Sequence, residues 1–517
     1  MYLVTASEMQ AMDRRTIETF GLPGRLLMEN AGRGAAQFLL KTFPGLTGKK
    51  VAVIAGRGNN GGDGFVIARC LFQKGVTVRV FLLAKSKAVA GDAAANLKLL
   101  KPLGIPVDEI PDGSAFKKHQ TAMRHQDIWV DAILGTGLKS DVDGYFKEII
   151  DFINSLGRPV FSVDIPSGLD SDTGHPRGAC IRAHSTATFG FAKIGHMLFP
   201  GATYTGKLQI IDIGIPDPVA AEVGPAQQLL TADMIRSLFV PRAPDAHKGT
   251  TGHLLVLAGS PGKTGAAAMT AMAAMRAGAG LVTLGVPKSL NPILETQVLE
   301  AMTAPLPETI DALFAESACD RIQDLLSDKR CMVFGPGVGI SPEIESLLRR
   351  ILPTLNVPMV IDADGLNNLA ADVGMLKTAG APVIVTPHPG EMARLTGASV
   401  REIQADRLGC ARKFSKKYKL HVVLKGARTV IAHPDGKVYV NPTGNAGMAS
   451  GGMGDVLTGV IGGLLTQGYT PEAASHMGTY LHGAAADHLA EQMGPVGYLA
   501  GDVMNVIPNQ IKKLLNG

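Results

Sequence analysis

The glycine-rich run NPTGNAGMASGGMGDVLTGVIGGLL, from Asn441 to Leu465, sets one acid, Asp455, between a loop able to wrap an anion and an apolar helix. Gly444, Gly447, Gly451, Gly452 and Gly454 free the backbone to take positive φ and to approach a ligand closely. A helix starting near Asp455 turns its unpaired N–H groups toward that loop, which favours a phosphate there. Two tasks are open to Asp455. A short acid at such a position caps a helix without doing chemistry. It also stands where a carboxylate can take the proton of a hydroxyl as that hydroxyl attacks a phosphoryl group.

Other chemistry-bearing residues follow apolar runs in the same half. CMVFGPGVG, PMVIDADGLNNLA, PVIVTPHPGEMARL and HVVLKGARTVIA read as strands that each end in a polar loop, so Asp362, Asp364, His388 and Glu391 fall on one rim. Gly262, Lys263 and Thr264 imitate the tail of a Walker loop, but the glycine that motif needs further upstream is Leu257, and the match fails. Met269, Met272 and Met275 lie at helical spacing among alanines and read as a packed core face.

In the first half, KKVAVIAGRGNNGGDGFVIARCLFQKG gives strand, glycine turn and helix, with a GxGxxG fit at Gly56, Gly58 and Gly61. An NAD-type site asks for an acid after the next strand to hold the ribose hydroxyls. VTVRVFLLAKSK ends in Lys85 and Lys87 instead, which disfavours a standard NAD dehydrogenase and leaves a phosphorylated ribose open. Asn59, Asn60 and Asp63 add more polar groups to the loop than a turn needs, enough to hold a small cation or sugar and phosphate oxygens. Asp131, before the Gly135 to Gly137 turn, and Asp164 with Ser167 mark two more strand ends. Each acid alone is explained by capping or turn formation; several in one domain point to a site.

The elements that must position these groups belong to an α/β protein. At 517 residues, with 46% hydrophobic and 18% charged residues, the chain calls for two or more globular domains. Thr5 and Glu8 form a capping box for a first helix reaching about Phe20, and a second runs from about Pro23 to Phe43. The Pro- and Ala-rich PDPVAAEVGPAQQ reads as a connector, giving domains 1–218 and 226–517. A net charge of +5 without any basic block, and a single Trp, do not imply nucleic acid. Five cysteines with no CxxC pair indicate neither a disulfide framework nor a zinc site, which fits a reducing cytoplasm. The start carries acids early and no run approaches a membrane span of about 18 apolar residues, so neither export nor membrane insertion is expected.

KGART at Lys425 to Thr429, followed by NAGMASGGMGD, resembles the ribokinase superfamily, whose GxGD-type loop supplies an anion hole and a base. GSPGKTGA, GPGVG, DADGLN and TPHPGE narrow the resemblance to the ADP- or ATP-dependent NAD(P)H-hydrate dehydratases. The first half, with LMENAG, GNNGGDG, VDAILGTGL, SVDIPSGLD and GFAKIGH, is similar to the NAD(P)H-hydrate epimerases, and the order of fusion is that of the bifunctional NAD(P)H-hydrate repair enzymes. The resemblance implies a Rossmann-like three-layer domain followed by a larger ribokinase-like α/β domain, an isomerase joined to a lyase. Hydrated NADH or NADPH carries a hydroxyl on C6 of the reduced ring; phosphorylating it makes a leaving group, and loss of phosphate with a ring proton restores the double bond.

By the same resemblance Asp455, Asp164 and Lys193 are the catalytic candidates. The epimerase substrate falls to Asn59, Asn60, Gly61, Gly62, Asp63, Gly135, Thr136, Gly137, Leu138, Lys139, Ser140, Asp141 and Asp164. Ala266, Gly337, His388 and Asp455 would surround the dehydratase substrate, and Lys425, Gly426, Ala427, Arg428, Thr429 and Gly454 the nucleotide. Potassium is implied at Asn60, Asp131 and Ser167, and Mg2+ with ADP in the second domain. A homo-oligomer is implied as well. Two other classes stay open on sequence alone: a ribokinase-like small-molecule kinase fused to a nucleotide-binding domain, and a scaffold that merely holds a ligand.

Overall fold

The computed structural model describes residues 1–138 and 140–516. The chain forms two compact units, Tyr2–Pro225 and a second from Ala226 onward. PDPVAAEVGPAQQ is not the open connector its prolines suggest: Asp217–Val223 is a helix with Pro218 in its first turn, closed by Gly224 in the left-handed region. Proline is tolerated in a first helical turn, and Val219 and Ala220 are buried with Val4, Met9 and Met12.

In the first unit the Thr5–Glu8 capping box starts the helix Ala6–Glu18, and the helix Gly24–Thr42 follows. Seven parallel strands run in the order Val107–Glu109, Thr77–Leu82, Lys50–Ala55, Ile128–Ala132, Val160–Val163, Ser185–Phe189, Lys207–Ile211. The order reverses between Lys50–Ala55 and Ile128–Ala132, and doubly wound sheets bind ligands outside the carboxyl ends at such a point. The two chains leaving there approach so closely that a Cβ on Gly56 would stand 2.1 Å from the Ile133 carbonyl oxygen. The turn is completed by Gly58, so Asn59, Asn60 and Asp63 lie in the first turns of the helix Asn59–Gln73 and not in a loop. The helix's unpaired N–H groups therefore face the crevice beside them.

In the second unit the parallel strands Met302–Leu306, Leu281–Pro287, His253–Leu257, Cys331–Phe334, Met359–Ile361, Val383–Val385 and His421–Leu424 lie side by side, then Val430–Ala432 and Val438–Val440 continue antiparallel, with Gln227–Leu229 beyond. The polar loop KGART is thus a hairpin loop between two antiparallel strands. The helix Met453–Thr466 packs on Thr264–Arg276 at a distance only glycine permits: a Cβ on Gly459 would stand 2.2 Å from Thr270 O. Met269, Met272 and Met275 pack partly buried against the core. No helix among the described residues is long and apolar enough to cross a membrane.

Candidate active sites

The switch point of the first unit opens into a cavity of about 1150 Å3. Asp164 follows the strand Val160–Val163 with φ 63°, a strained turn that aims its carboxylate inward. Its Oδ1 accepts from Lys193 Nζ at 2.5 Å and from Thr188 Oγ1 at 3.1 Å. Lys193, 1% exposed, also donates to the Phe189 carbonyl at 3.1 Å. Burial alone would raise the Asp164 pKa, but the Lys193 ammonium outweighs it and holds the carboxyl below its usual range.

Two further acids share the cavity. Asp63 is buried, and that burial, reinforced by the charges of Asp164 and Asp13, pushes its carboxyl well up. Asp13, on the helix Ala6–Glu18, is pushed to about 6 by burial, with Lys193 opposing and Asp164 adding. No motif marks Asp13, and the sequence reading missed it. One ammonium among three acids holds the Asp164 carboxyl down while the other two are pushed up. Lys85 and Lys87 line the same cavity as cations, as does Arg57.

Asn59, Asn60, Gly135, Thr136, Gly137, Leu138 and Ser140 line it too. Gly61 and Gly62 sit behind the wall, where a Cβ would meet Gly56 O at 2.0 Å and the Met28 side chain at 2.7 Å. Asp141 is exposed and is not among the lining residues. Lys139 lies outside the described residues.

At the cavity wall Asn60 and Ser167 both bond Leu134, and Asp131 joins them through Ser167. Asn60 Nδ2 donates to Leu134 O at 2.9 Å, leaving Asn60 Oδ1 buried with no hydrogen-bond donor among the described residues. Leu134 N donates to Ser167 Oγ at 2.9 Å. Ser167 donates to Asp131 through both N, at 2.8 Å, and Oγ, at 2.5 Å. An orphaned amide oxygen beside carbonyl, hydroxyl and carboxylate oxygens is a donor set for a hard cation.

In the second unit Asp362 and Asp364 flank Ala363, whose φ of 50° turns the chain sharply after the strand Met359–Ile361. Asp362 accepts from Lys425 Nζ at 2.6 Å and from Thr458 Oγ1 at 2.7 Å. Asp364 accepts from Lys263 Nζ at 2.8 Å and Gly339 N at 3.0 Å. Glu391 stands 3.7 Å from Lys425 Nζ. Burial would lower the Lys425 pKa, yet Asp362 and Glu391 hold it above its ordinary value.

Asp455 is not the cap of its helix. Gly452, at φ 86°, takes that position without a side-chain bond, and Asp455 falls in the first turn of Met453–Thr466. Its carboxylate has no hydrogen-bond partner among the described residues. Burial, then the charge of Asp362, raise its pKa to about 6, with Lys425 opposing. A Cβ on neighbouring Gly454 would stand 3.4 Å from Lys425 Nζ and 3.5 Å from Asp362 Oδ2, so the helix start lies on the charged cluster. Of the loop glycines, Gly444 and Gly452 use positive φ; Gly447, Gly451 and Gly454 do not.

The remaining sequence candidates are less uniform. Ala266 and Gly337 adjoin, since a Cβ on Gly337 would stand 3.2 Å from Ala266 Cβ. His388 is the cap of the helix Pro389–Thr396, its Nδ1 accepting from Gly390 N and Glu391 N, so this ring is half occupied as a structural group. Arg428 folds back to donate to the Pro442 carbonyl and is not a free phosphate fork. Gly426 and Ala427 are exposed, and the Thr429 hydroxyl donates to Gly426 O at 3.2 Å. The loop is shaped from below by Arg407, which the sequence reading passed over: it donates to the carbonyls of Leu424, Lys425, Ala427 and Arg428 at 2.6–3.2 Å.

Two known families match the chain, one within each α/β unit. A family described as NAD(P)H-hydrate dehydratase matches residues 254–509, and one described as YjeF-related protein N-terminus matches 24–195. The bifunctional NAD(P)H-hydrate repair enzyme Nnr of Moorella thermoacetica is 43% identical over 515 residues, covering 99% of this chain and 97% of that one. The chain belongs to the bifunctional NAD(P)H-hydrate repair enzymes. The Escherichia coli member is 36% identical over 503 residues, with 97% of this chain and 92% of that one covered. Among solved structures, a ribokinase-like superfamily protein from Enterococcus faecalis aligns with a TM-score of 0.50 at 25% identity, over 56% of this chain and 98% of its own. A repair enzyme of this kind joins an epimerase to a dehydratase, so neither a plain small-molecule kinase nor a passive scaffold fits.

Proposed function

We propose that the first unit interconverts the R and S C6 hydrates of NADH and NADPH, and that the second dehydrates the S hydrate with ADP, giving NAD(P)H, AMP and phosphate. The observation that carries the reading is Asp455: a half-buried carboxylate with no hydrogen-bond partner among the described residues, its pKa raised to about 6, next to Gly454, which abuts the Lys425–Asp362 pair. Asp455 takes the C6 hydroxyl proton as that oxygen attacks the β-phosphoryl group of ADP and AMP leaves. Phosphate then departs from C6 as a proton leaves C5, and the ring double bond returns. Lys425 neutralises the charge that develops on the transferring group, and the Lys425–Thr429 hairpin with Gly454 holds the nucleotide. Mg2+ bound with ADP would draw on nucleotide oxygens and on carboxylates of the Asp362, Asp364 and Glu391 cluster, and would supply charge neutralisation.

In the first unit Asp164, ionised beside Lys193, serves as the base, and the C6 centre inverts through C–O cleavage or ring opening. Asn60, Asp131 and Ser167 would hold potassium, an assignment supported by the orphaned Asn60 Oδ1; the ion would order the loop that meets substrate phosphate. Gly135, Thr136, Gly137, Leu138 and Ser140, which line the cavity, complete the substrate surface in this reading together with Lys139, and Ala266, Gly337 and His388 that of the dehydratase. The enzyme is cytoplasmic in this reading, with which its five free thiols accord, and homo-oligomeric.

The test follows recovery of reduced-ring absorbance from separated R and S hydrates, with and without ADP. The S hydrate should recover only with ADP, and the R hydrate should follow at a rate set by the first unit. ADP-independent recovery, or equal epimerisation when potassium is replaced by an organic cation, would refute the dehydratase or the potassium assignment respectively.

A further inference from the structure

At the ends of the antiparallel strands opposite to Lys425, four side chains with metal-binding chemistry meet apart from both crevices. His421 opens the strand His421–Leu424, and His433 follows Val430–Ala432. Glu472 and His476 stand four residues apart on the helix Pro471–Met493, a spacing that puts both on one face. One ligand atom each of His433, Glu472 and His476 lie within 4.8 Å of one another. The two imidazoles are 2% and 5% exposed.

The hydrogen bonding around the cluster fixes which atoms face its centre. His433 Nδ1 lies 2.7 Å from His421 Nδ1, and His433 Nε2 lies 2.8 Å from His476 Nε2. With the His433 proton on Nδ1 and donated to His421, the Nε2 lone pair points at the place shared with His476 and Glu472. An outer acceptor of this kind is what orients a metal-bound imidazole. Tyr439 does the same for the acid, its hydroxyl donating to Glu472 Oε1 at 3.4 Å while its ring packs 4.1 Å from that of His476. A hydrogen bond between the two histidines accounts for their own contact. It does not account for a carboxylate converging on the same point.

We propose that His433, Glu472 and His476 form a binding site for a divalent transition metal of the zinc class, oriented by His421 and Tyr439. Two imidazole nitrogens and one carboxylate favour zinc or its transition-metal neighbours over magnesium or calcium, which take oxygen ligands. Two nitrogens on one tetrahedral zinc stand about 3.4 Å apart, from bonds of about 2.0–2.1 Å. The rings need part by roughly half an ångström to admit the ion. Bound there, the metal would pin the helix Pro471–Met493 to the strands that carry the Lys425–Thr429 hairpin, a stabilising rather than catalytic task.

The test uses the full chain, stripped with chelator and returned to zinc. One zinc per chain should survive gel filtration, and the melting temperature should rise by several degrees. Cobalt in place of zinc should show the visible bands of a low-symmetry four-coordinate site. His476→Gln should abolish retention and the melting shift; Glu472→Gln, at a partly exposed position that leaves the fold undisturbed, should do the same. Metal retained equally by both variants, or no retained metal and no melting shift in the unaltered chain, overturns the proposal.

Discussion

Replacing Asp455 by Asn should make the protein more stable and nearly abolish its dehydratase, and the two effects should separate with pH. The carboxyl is raised from 3.8 to about 6 in the folded chain, first by burial and then by Asp362. A folded pKa above the unfolded one means the folded state holds the proton more tightly, so folding is favoured less as pH rises through the window between these values. The cost is absent below about pH 4 and complete above about pH 6. Roughly two units at about 1.4 kcal/mol each set a ceiling of about 3 kcal/mol; solvent reaching the crevice reduces this to about 1–2 kcal/mol. Losing a negative charge in the first helical turn takes back about 0.3–1 kcal/mol. Because Gly452 is the cap, no capping bond is lost. The variant should therefore melt about 2 °C higher at pH 7.5 and unchanged near pH 4. Its dehydratase rate should fall by about 10²-fold or more, the size of a general-base contribution, with ADP binding and epimerisation retained. Calorimetry at the two pH values, beside the absorbance assay, reads both. A retained rate, or a stability gain of equal size at both pH values, would show that Asp455 is neither the base nor a strained charge.

Lys193→Met should cost about 3–5 kcal/mol by stranding the buried Asp164 charge. Lys193 is what holds the Asp164 carboxyl below its usual range against burial; without it burial raises that carboxyl, so the deficit should keep growing with pH above about 4 and shrink as acid protonates Asp164; urea melts across pH read it, and an unchanged epimerase would reject Lys193 as part of that site. Arg407→Lys replaces a planar fork that holds four carbonyls with one ammonium. It should raise the KM for ADP about tenfold while kcat is kept, and equal loss in both parameters would assign Arg407 to general stability instead. Asp13→Asn should slow epimerisation about tenfold or more and erase an alkaline limb near pH 6; a limb that survives the substitution moves the proton donor to Asp63.

Residues at the carboxyl ends of apolar runs could be read from the sequence because a parallel sheet delivers every such end to one edge. That rule finds Asp131, Asp164, Asp362 and Asp364 without any knowledge of the packing. It has no purchase on groups that reach a site sideways. Asp13 sits on an amphipathic helix whose charged face reads as solvated, and only the docking of Met9 and Met12 turns it toward the cavity. Arg407 looks like an ordinary charge at a helix start until the chain at Lys425 closes into a hairpin and offers it four carbonyls. Asp455 shows a finer limit. A shift of three residues in the helix start decides whether its carboxylate is spent on backbone N–H groups or left free, and that shift depends on Gly452 taking φ 86°. Sequence periodicity locates helix ends less finely than this. The chemistry of the site therefore rests on a glycine that carries no chemistry of its own.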